Sequence, residues 1–538
     1  MNWVPGILIG LLMWGCASQT TPNGGPKDET PPLLLKSTPS QNEKNFKGKI
    51  IELTFDELVK LNNPNDEIII TPSLGKGTRY IAKNNKVTIE PQSAWKDSTT
   101  FSVSFRNAIQ DVNEGNPAED LRLAFSTGTY LDSLSISGMI TQPLTETIPD
   151  KLTVGIFESD TFDIFKHTPE YFTKSKKNGS FSILNLKPGH YRIYAFDDKN
   201  KNLKVESQTE KFGLLPETID LTENSDSIHL SVFLVDSRPL KITSIRNSGT
   251  ISTVKFNKNV KSYSINKQSY QSPPHTFGDN QTEVIIYNPL QEADSIKIDF
   301  TAQDSVLFSV DTSFYVKKIQ TKIPNQPFIV SFEDGTIDVE TGEFKLLGSY
   351  NKPVQTVTFD STYIKIDSLD SILFKPEDIK FDSIKKQLTL TKKIENKLLN
   401  KPKLAPPIVN FGKAFLISIQ NDSSKYELKK TTLIKEEDTG NILVTVETQF
   451  PNYIVQLLSS QNKVIQSVRN SKNPTFKKLP PQDYKLRVII DTNKNGFWDP
   501  QNIFQNTPPE QTIYYKSPDK KYTFPLRAGW DFSVLLKF

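Results

Sequence analysis

The residues best suited to chemistry lie near the C-terminus, in Asp491-Thr492-Asn493-Lys494-Asn495-Gly496-Phe497-Trp498-Asp499. Side-chain oxygens recur at the first, third, fifth and ninth positions, and Gly496 stands at the sixth. Alternate side chains of a tight loop converge on one point and hard cations take oxygen donors, so this is the spacing of a calcium loop. The expected ligands are Asp491, Asn493, Asn495 and Asp499, with the backbone carbonyl of Phe497. The twelfth position, where a bidentate carboxylate closes a full loop, holds Asn502, so the affinity for Ca2+ is expected to be modest. The same residues also suit a bare Asx-rich loop between two strands, in which Asn and Asp bond their own backbone. The sequence leaves both readings open and favours the bare loop. Phe497 and Trp498 offer either an exposed platform for a ligand such as a glycan or a staple that packs the loop onto its domain; the staple is preferred.

Other chemistry is sparse. Asp56-Glu57 and the segment from Asp111 to Glu114 are carboxylate clusters. Both fall at predicted turns, where such residues are structural, rather than in an acid/base pair. The histidines at 167, 190, 229 and 275 have no metal-ligand spacing. No nucleophile elbow, phosphate loop or dinucleotide fingerprint is present, so no catalytic residue is expected and no cofactor is required. Cys16 is the one cysteine, which excludes an internal disulfide and a thiolate zinc site. It precedes a Thr/Pro/Gly/Asn stretch over residues 17–32 that reads as a tether. A net charge of +4, with 65 basic and 61 acidic residues, gives no footprint for nucleic acid.

The elements around these residues are strands. At roughly 100–200 residues per domain, 538 residues predict about three to five domains. Ile50-Ile51-Glu52-Leu53-Thr54-Phe55 alternates toward its end, Lys86-Val87-Thr88-Ile89-Glu90, Thr99-Thr100-Phe101-Ser102-Val103-Ser104-Phe105 and Leu121-Arg122-Leu123-Ala124-Phe125 alternate with period two, and Glu67-Ile68-Ile69-Ile70 reads as a further strand before Thr71-Pro72. Short strands at near-regular spacing, without long period-3.6 segments, predict an all-β fold of sandwiches. A second unit carries Asn178-Gly179-Ser180-Phe181-Ser182-Ile183 and Lys187-Pro188-Gly189-His190-Tyr191. It returns near the C-terminus as Asn473 to Asp491, after one short gap. Beyond the tyrosines, Asp198, Asn200, Asn202 and Glu206 fall in register with Asp491, Asn493, Asn495 and Asp499. The earlier loop lacks the glycine and carries three lysines, so calcium is not expected there.

These motifs resemble known families. Ile7-Leu8-Ile9-Gly10-Leu11-Leu12-Met13-Trp14-Gly15-Cys16 resembles a bacterial lipoprotein signal peptide, although no Lys or Arg precedes it. The resemblance implies a signal peptide over residues 1–15, acyl chains such as palmitate on Cys16, and a tether over 16–32. Leu53-Thr54-Phe55-Asp56-Glu57, Ile70-Thr71-Pro72, the segment from Asn107 to Asn116, and Phe125-Ser126-Thr127-Gly128 resemble the bacterial Ig-like domain of S-layer and surface proteins. That implies a spacer or binding module over 33–128. The repeated unit, over 133–236 and 428–538, resembles the transthyretin-like regulatory sandwich of carboxypeptidases, without that enzyme's zinc ligands. Residues 237–323 and 324–427 echo the Ig-like pattern in degenerate form. The whole resembles the Ig-like-domain lipoproteins of Bacteroidota. The implied protein is a lipid-anchored, non-enzymatic scaffold or binding protein of the outer membrane, with the periplasmic face expected. Its sandwiches would form an elongated string contacting an envelope protein or a glycan. A glycan-binding accessory lipoprotein is the alternative.

Overall fold

The computed structural model describes residues 28–538 except 119, 159–160, 267–272, 288–294, 318, 320–325 and 402–403. The expected signal peptide, Cys16 and most of the tether lie outside the described residues. The fold is all-β, as the alternation requires. In the first unit, the strands Leu34–Thr38, Ile51–Phe55, Lys86–Glu90 and Arg79–Lys83 form one sheet, and Ile69–Thr71, Thr100–Ser104 and Arg122–Ser126 another. Period-two alternation puts Ile51, Leu53 and Phe55 on one face of their strand, and all three are fully buried. Glu67 departs from the reading as strand. Pro64–Glu67 forms one helical turn, with Pro64 at its start, where a missing N–H costs nothing. That turn carries Glu67 to Arg106 (3.3 Å) and to Lys151 of the second unit (2.5 Å).

The second and fifth units are two copies of one topology. In the second, Leu134–Thr141 lies between Ser180–Leu186 and Ser225–Ser231. It faces a sheet ordered Tyr171–Lys174, Thr153–Phe157, Gly189–Phe196, Phe212–Leu214. In the fifth, Gly440–Glu447 lies between Thr475–Leu479 and Asp531–Lys537. Its facing sheet runs Val464–Arg469, Tyr453–Ser459, Gln482–Ile490, Thr512–Tyr514. In each copy the first strand pairs with the last in parallel and every other pairing is antiparallel. The repeated tyrosine also does the same work twice. Tyr191 Oη donates to the Lys187 carbonyl (3.1 Å) and Tyr484 Oη to the Pro480 carbonyl (2.7 Å), tying down the Pro turn while the ring fills the core. Gly138 is explained by close approach, since a Cβ there would run into the Ile228 carbonyl of the parallel partner strand.

The third unit pairs a sheet of Ile242–Ser248, Ile251–Phe256, Glu283–Tyr287 and His275–Phe277 with one of Ser262–Asn266, Ser295–Gln303 and Ser309–Lys317. The fourth is built differently, on a nine-stranded sheet accompanied by the antiparallel pair Val354–Val357 and Leu416–Ser418. The strand Glu427–Ile434 belongs to that sheet, paired with Ile408–Phe411 and, in parallel, with Gly335–Asp338. The fourth unit therefore runs past residue 427, where the sequence placed its end.

The units do not follow one another as a loose string. Lys258 joins the third unit to the second, through the Asp236 carbonyl (2.9 Å). Gln420 of the fourth donates to Thr250 of the third (3.0 Å). Lys478 of the fifth pairs with Asp338 (2.6 Å) and Glu340 (2.9 Å) of the fourth. The fifth unit then returns to the second. Lys485 and Arg487 lie on the outer face of Gln482–Ile490, yet are only 4% and 5% exposed, because residues 144–146 of the second unit cover them. Lys485 pairs with Glu146, Asn462 Nδ2 donates to Glu146 Oε2 (3.1 Å), and Arg487 Nη1 donates to the Leu144 carbonyl (2.9 Å). The contacts among the second, third, fourth and fifth units thus form a closed circuit, and the elongated string expected from the sequence is corrected by these contacts.

Candidate functional site

The Asp/Asn loop leaves the strand Gln482–Ile490 where the circuit closes. Asp491 is buried, and its Oδ2 accepts from the Gly496 N–H (2.9 Å). Asn493 Oδ1 accepts from Asn495 N (3.0 Å), and Asn495 Oδ1 from Phe497 N (2.8 Å). The amide nitrogens of Asn493 (2.7 Å) and Asn495 turn toward Asp499 Oδ2. Gly496 adopts φ 81°, a left-handed conformation that suits glycine. The structure therefore gathers Asp491, Asn493, Asn495 and Asp499 into one loop. Among the described residues, no three His, Cys, Asp or Glu side chains stand together as a metal-ligand set. Any ion held here would rest on two carboxylates and two amides. Asn502, at the twelfth position, turns away and donates from Nδ2 to the Val306 carbonyl of the third unit (3.0 Å).

The aromatic pair divides. Phe497 is 68% exposed, with the Arg469 guanidinium 5.9 Å over its ring. Trp498 turns inward: its Nε1–H donates to the Glu510 carbonyl (2.9 Å), and its ring meets Phe233 of the second unit edge-on at 5.4 Å. The two rings do not form a shared platform, and Trp498 acts as a staple, although between units rather than within one.

Glu510 is the residue that sequence reasoning missed. It is buried; Oε1 accepts from Thr492 N (2.8 Å) and Oε2 from Asp499 N (3.1 Å), so one carboxylate holds both ends of the loop. Glu210 does the same in the second unit, accepting from Lys199 N (3.0 Å) and Glu206 N (3.0 Å). The signal was hidden by spacing: Lys199 and Glu210 are 11 residues apart, Thr492 and Glu510 are 18. The earlier loop otherwise keeps the geometry. Asp198 Oδ1 accepts from Asn202 N (3.0 Å), Asn202 Nδ2 donates to Glu206 (2.6 Å), and Leu203 takes the glycine's left-handed place at φ 60°. Burial pushes the Asp198 and Glu210 carboxyls above the ordinary range.

The remaining candidates are structural. Asp111 accepts from the backbone N–H groups of Glu114 (2.6 Å), Gly115 (3.1 Å) and Asn116 (2.6 Å). Desolvation opposes its ionisation, but these bonds outweigh it and hold the carboxyl below the usual range. Asp56 Oδ1 accepts from Leu33 N (2.8 Å). His275 is half-buried beside the Tyr263 hydroxyl (3.0 Å), and burial lowers its pKa.

The turn held by Asp111 follows the strand Ile109–Asp111 of the first unit. Residues 28–127 match the family described as bacterial Ig-like domain. The Ig-like unit thus contains Asp56 and Glu57, in the bend after Ile51–Phe55, and Asp111, the last residue of the strand Ile109–Asp111. No curated protein matches the chain. Among solved structures, the major pilin subunit BcpA of Bacillus cereus aligns over 76% of this chain and 99% of its own at 10% identity, with a TM-score of 0.13. Protocadherin gamma B2 cadherin domains 1–5 align over 88% and 94% at 8% identity and a TM-score of 0.15. Dimeric latent PorU from Porphyromonas gingivalis aligns over 63% and 32% at 11% identity and a TM-score of 0.16. Superpositions this loose carry no functional argument.

Proposed function

We propose that this chain is a lipid-anchored, non-enzymatic scaffold of the bacterial outer envelope that presents fixed binding surfaces to a protein partner. The observation that supports it most is the closed circuit of joints. A buried ion pair and backbone-directed hydrogen bonds lock the units to one another, at the cost of desolvating lysines and an arginine. Such joints suit a protein whose task is to hold surfaces in register. The anchor would be Cys16, in the outer membrane, facing the periplasm. The test is cellular. Intact cells are treated with a protease or a membrane-impermeant label, alongside a Cys16→Ala variant. Protection in intact cells, exposure on lysis and release of the variant from membranes are expected. A variant that stays membrane-bound would overturn the anchor, and cleavage in intact cells would overturn the periplasmic placement.

The glycan-binding alternative loses the shared platform at Phe497 and Trp498. It keeps one supporting feature, a cleft of about 630 Å3 between the second and fifth units with Tyr514, Tyr522 and Glu146 in its lining. Calorimetry with envelope polysaccharides, on the protein and on Tyr522→Ala, tests it; saturable binding lost in the variant is the result that favours it.

A further inference from the structure

Asp491 carries an unanswered charge. The residue is 5% exposed; Oδ2 receives the Gly496 N–H, whereas Oδ1 is buried and has no hydrogen-bond partner among the described residues. Buried polar atoms are almost always paired, and a bare carboxylate oxygen is among the least tolerable exceptions. The carboxylate faces the loop, as its bond to Gly496 shows. The oxygens of Asn493 and Asn495 each accept one backbone N–H, and a second lone pair remains on each. Asp499 lies across the loop, its other oxygen 3.6 Å from Lys261 of the third unit. A hard dication would satisfy the orphaned oxygen and draw on these donors together.

The loop's continuation gives such an ion a consequence. Gln501 Oε1 accepts from Leu214 N of the second unit (2.9 Å). Asn502 reaches the Val306 carbonyl, and Phe504 meets Phe308 of the third unit edge-on at 4.8 Å. Trp498, next to Asp499, packs on Phe233. We propose that Ca2+ binds at Asp491, Asn493, Asn495 and Asp499 and, by fixing this loop, holds the fifth unit closed against the second and third. Lys261 and Arg469 beside the loop oppose a dication, which places the affinity in the extracellular class, on the order of 10⁻⁴–10⁻³ M.

The purified full chain, stripped with a chelator, is titrated with Tb3+ read by luminescence sensitised through Trp498, and Ca2+ is then used to displace it. Hydrogen exchange of the loop and its docking segments is followed with and without Ca2+. Saturable binding is expected. Asp491→Asn and Asp499→Asn should each weaken it by at least about tenfold, since each removes a ligand charge. Ca2+ should slow exchange around Leu214 and Val306 in the wild type but not in the variants. Should Asp491→Asn lose its circular-dichroism signature, Asp499→Asn supplies the same reading, because its side chain is only part-buried. Absence of saturable binding by the folded wild type, or variants that bind as it does, overturns the site. Binding that leaves exchange at Leu214 and Val306 unchanged overturns the lock.

Discussion

Replacing Glu146 by alanine should open the joint between the second and fifth units more than replacing its partner does. Lys485 has a side chain 5% exposed, against 17% for Glu146. Without Glu146, the ammonium keeps only Asn462 Oδ1 at 3.2 Å, and Asn462 Nδ2 loses its acceptor. Breaking a buried pair from one side costs about 3–5 kcal/mol; part-exposure of Glu146 lowers the figure to about 2–3 kcal/mol. In Lys485→Met the orphan is the carboxylate, which stands nearer water, and the methionine fills the space of the lysine stem, so the cost falls to about 1 kcal/mol. Because the chain has several units, a single unfolding midpoint is a poor readout. Native-state hydrogen exchange reports the joint itself, in peptides covering residues 142–148 and 482–490. At about 1.4 kcal/mol per factor of ten, Glu146→Ala should reduce protection there roughly 30- to 150-fold, and Lys485→Met roughly fivefold. Equal effects, or a loss under about threefold for Glu146→Ala, would refute the reasoning that desolvation sets the order.

Three further outcomes are expected. Asp304→Asn leaves the Lys258 ammonium buried without its counter-charge, where both side chains are 3% and 2% exposed; it should destabilise the third unit by about 3–5 kcal/mol, measured by exchange around Val306. Tyr191→Phe and Tyr484→Phe each remove one hydroxyl donor while keeping the ring in the core, and each should cost about 1 kcal/mol, read as lost hydrogen-exchange protection in its own unit, the two costs adding because the hydroxyls share no partner. At Asp338, desolvation is outweighed by hydrogen bonds from Lys478 and the Thr341 N–H, so its pKa is lowered to about 2. The unfolded carboxyl, near about 3.9, takes its proton first. The stabilisation of the fourth-to-fifth joint is therefore complete above about 4 and is lost as pH falls toward about 2, and Lys478→Met should flatten that dependence.

Much of the fold was legible because strand information is local. Alternation in Ile51–Phe55 states which face is buried, and Asn178 to Tyr191 announces its own repetition at Asn473 to Tyr484. The joints were not legible. Glu146 and Asn462 stand 316 residues apart, and Lys485 and Arg487 read as solvated residues of an outward face until another unit covers them. Glu427–Ile434 carries a strand pattern that does not say which sheet it joins, so the boundary at 427 fell short. Part of the site was also legible. Oxygen spacing in Asp491 to Asp499 pointed to one loop, where the side-chain oxygens accept from the loop's own backbone and the amide nitrogens of Asn493 and Asn495 reach Asp499. Glu510 escaped because the longer second copy shifted it out of register with Glu210, and the inward turn of Trp498 depends on Phe233, a residue of another unit.

The closed circuit is read as a whole by small-angle X-ray scattering of the purified chain. It predicts a compact particle whose maximum dimension grows when Glu146→Lys sets like charges against each other at the joint. A wild-type profile of five sandwiches end to end, unchanged by Glu146→Lys, would contradict it.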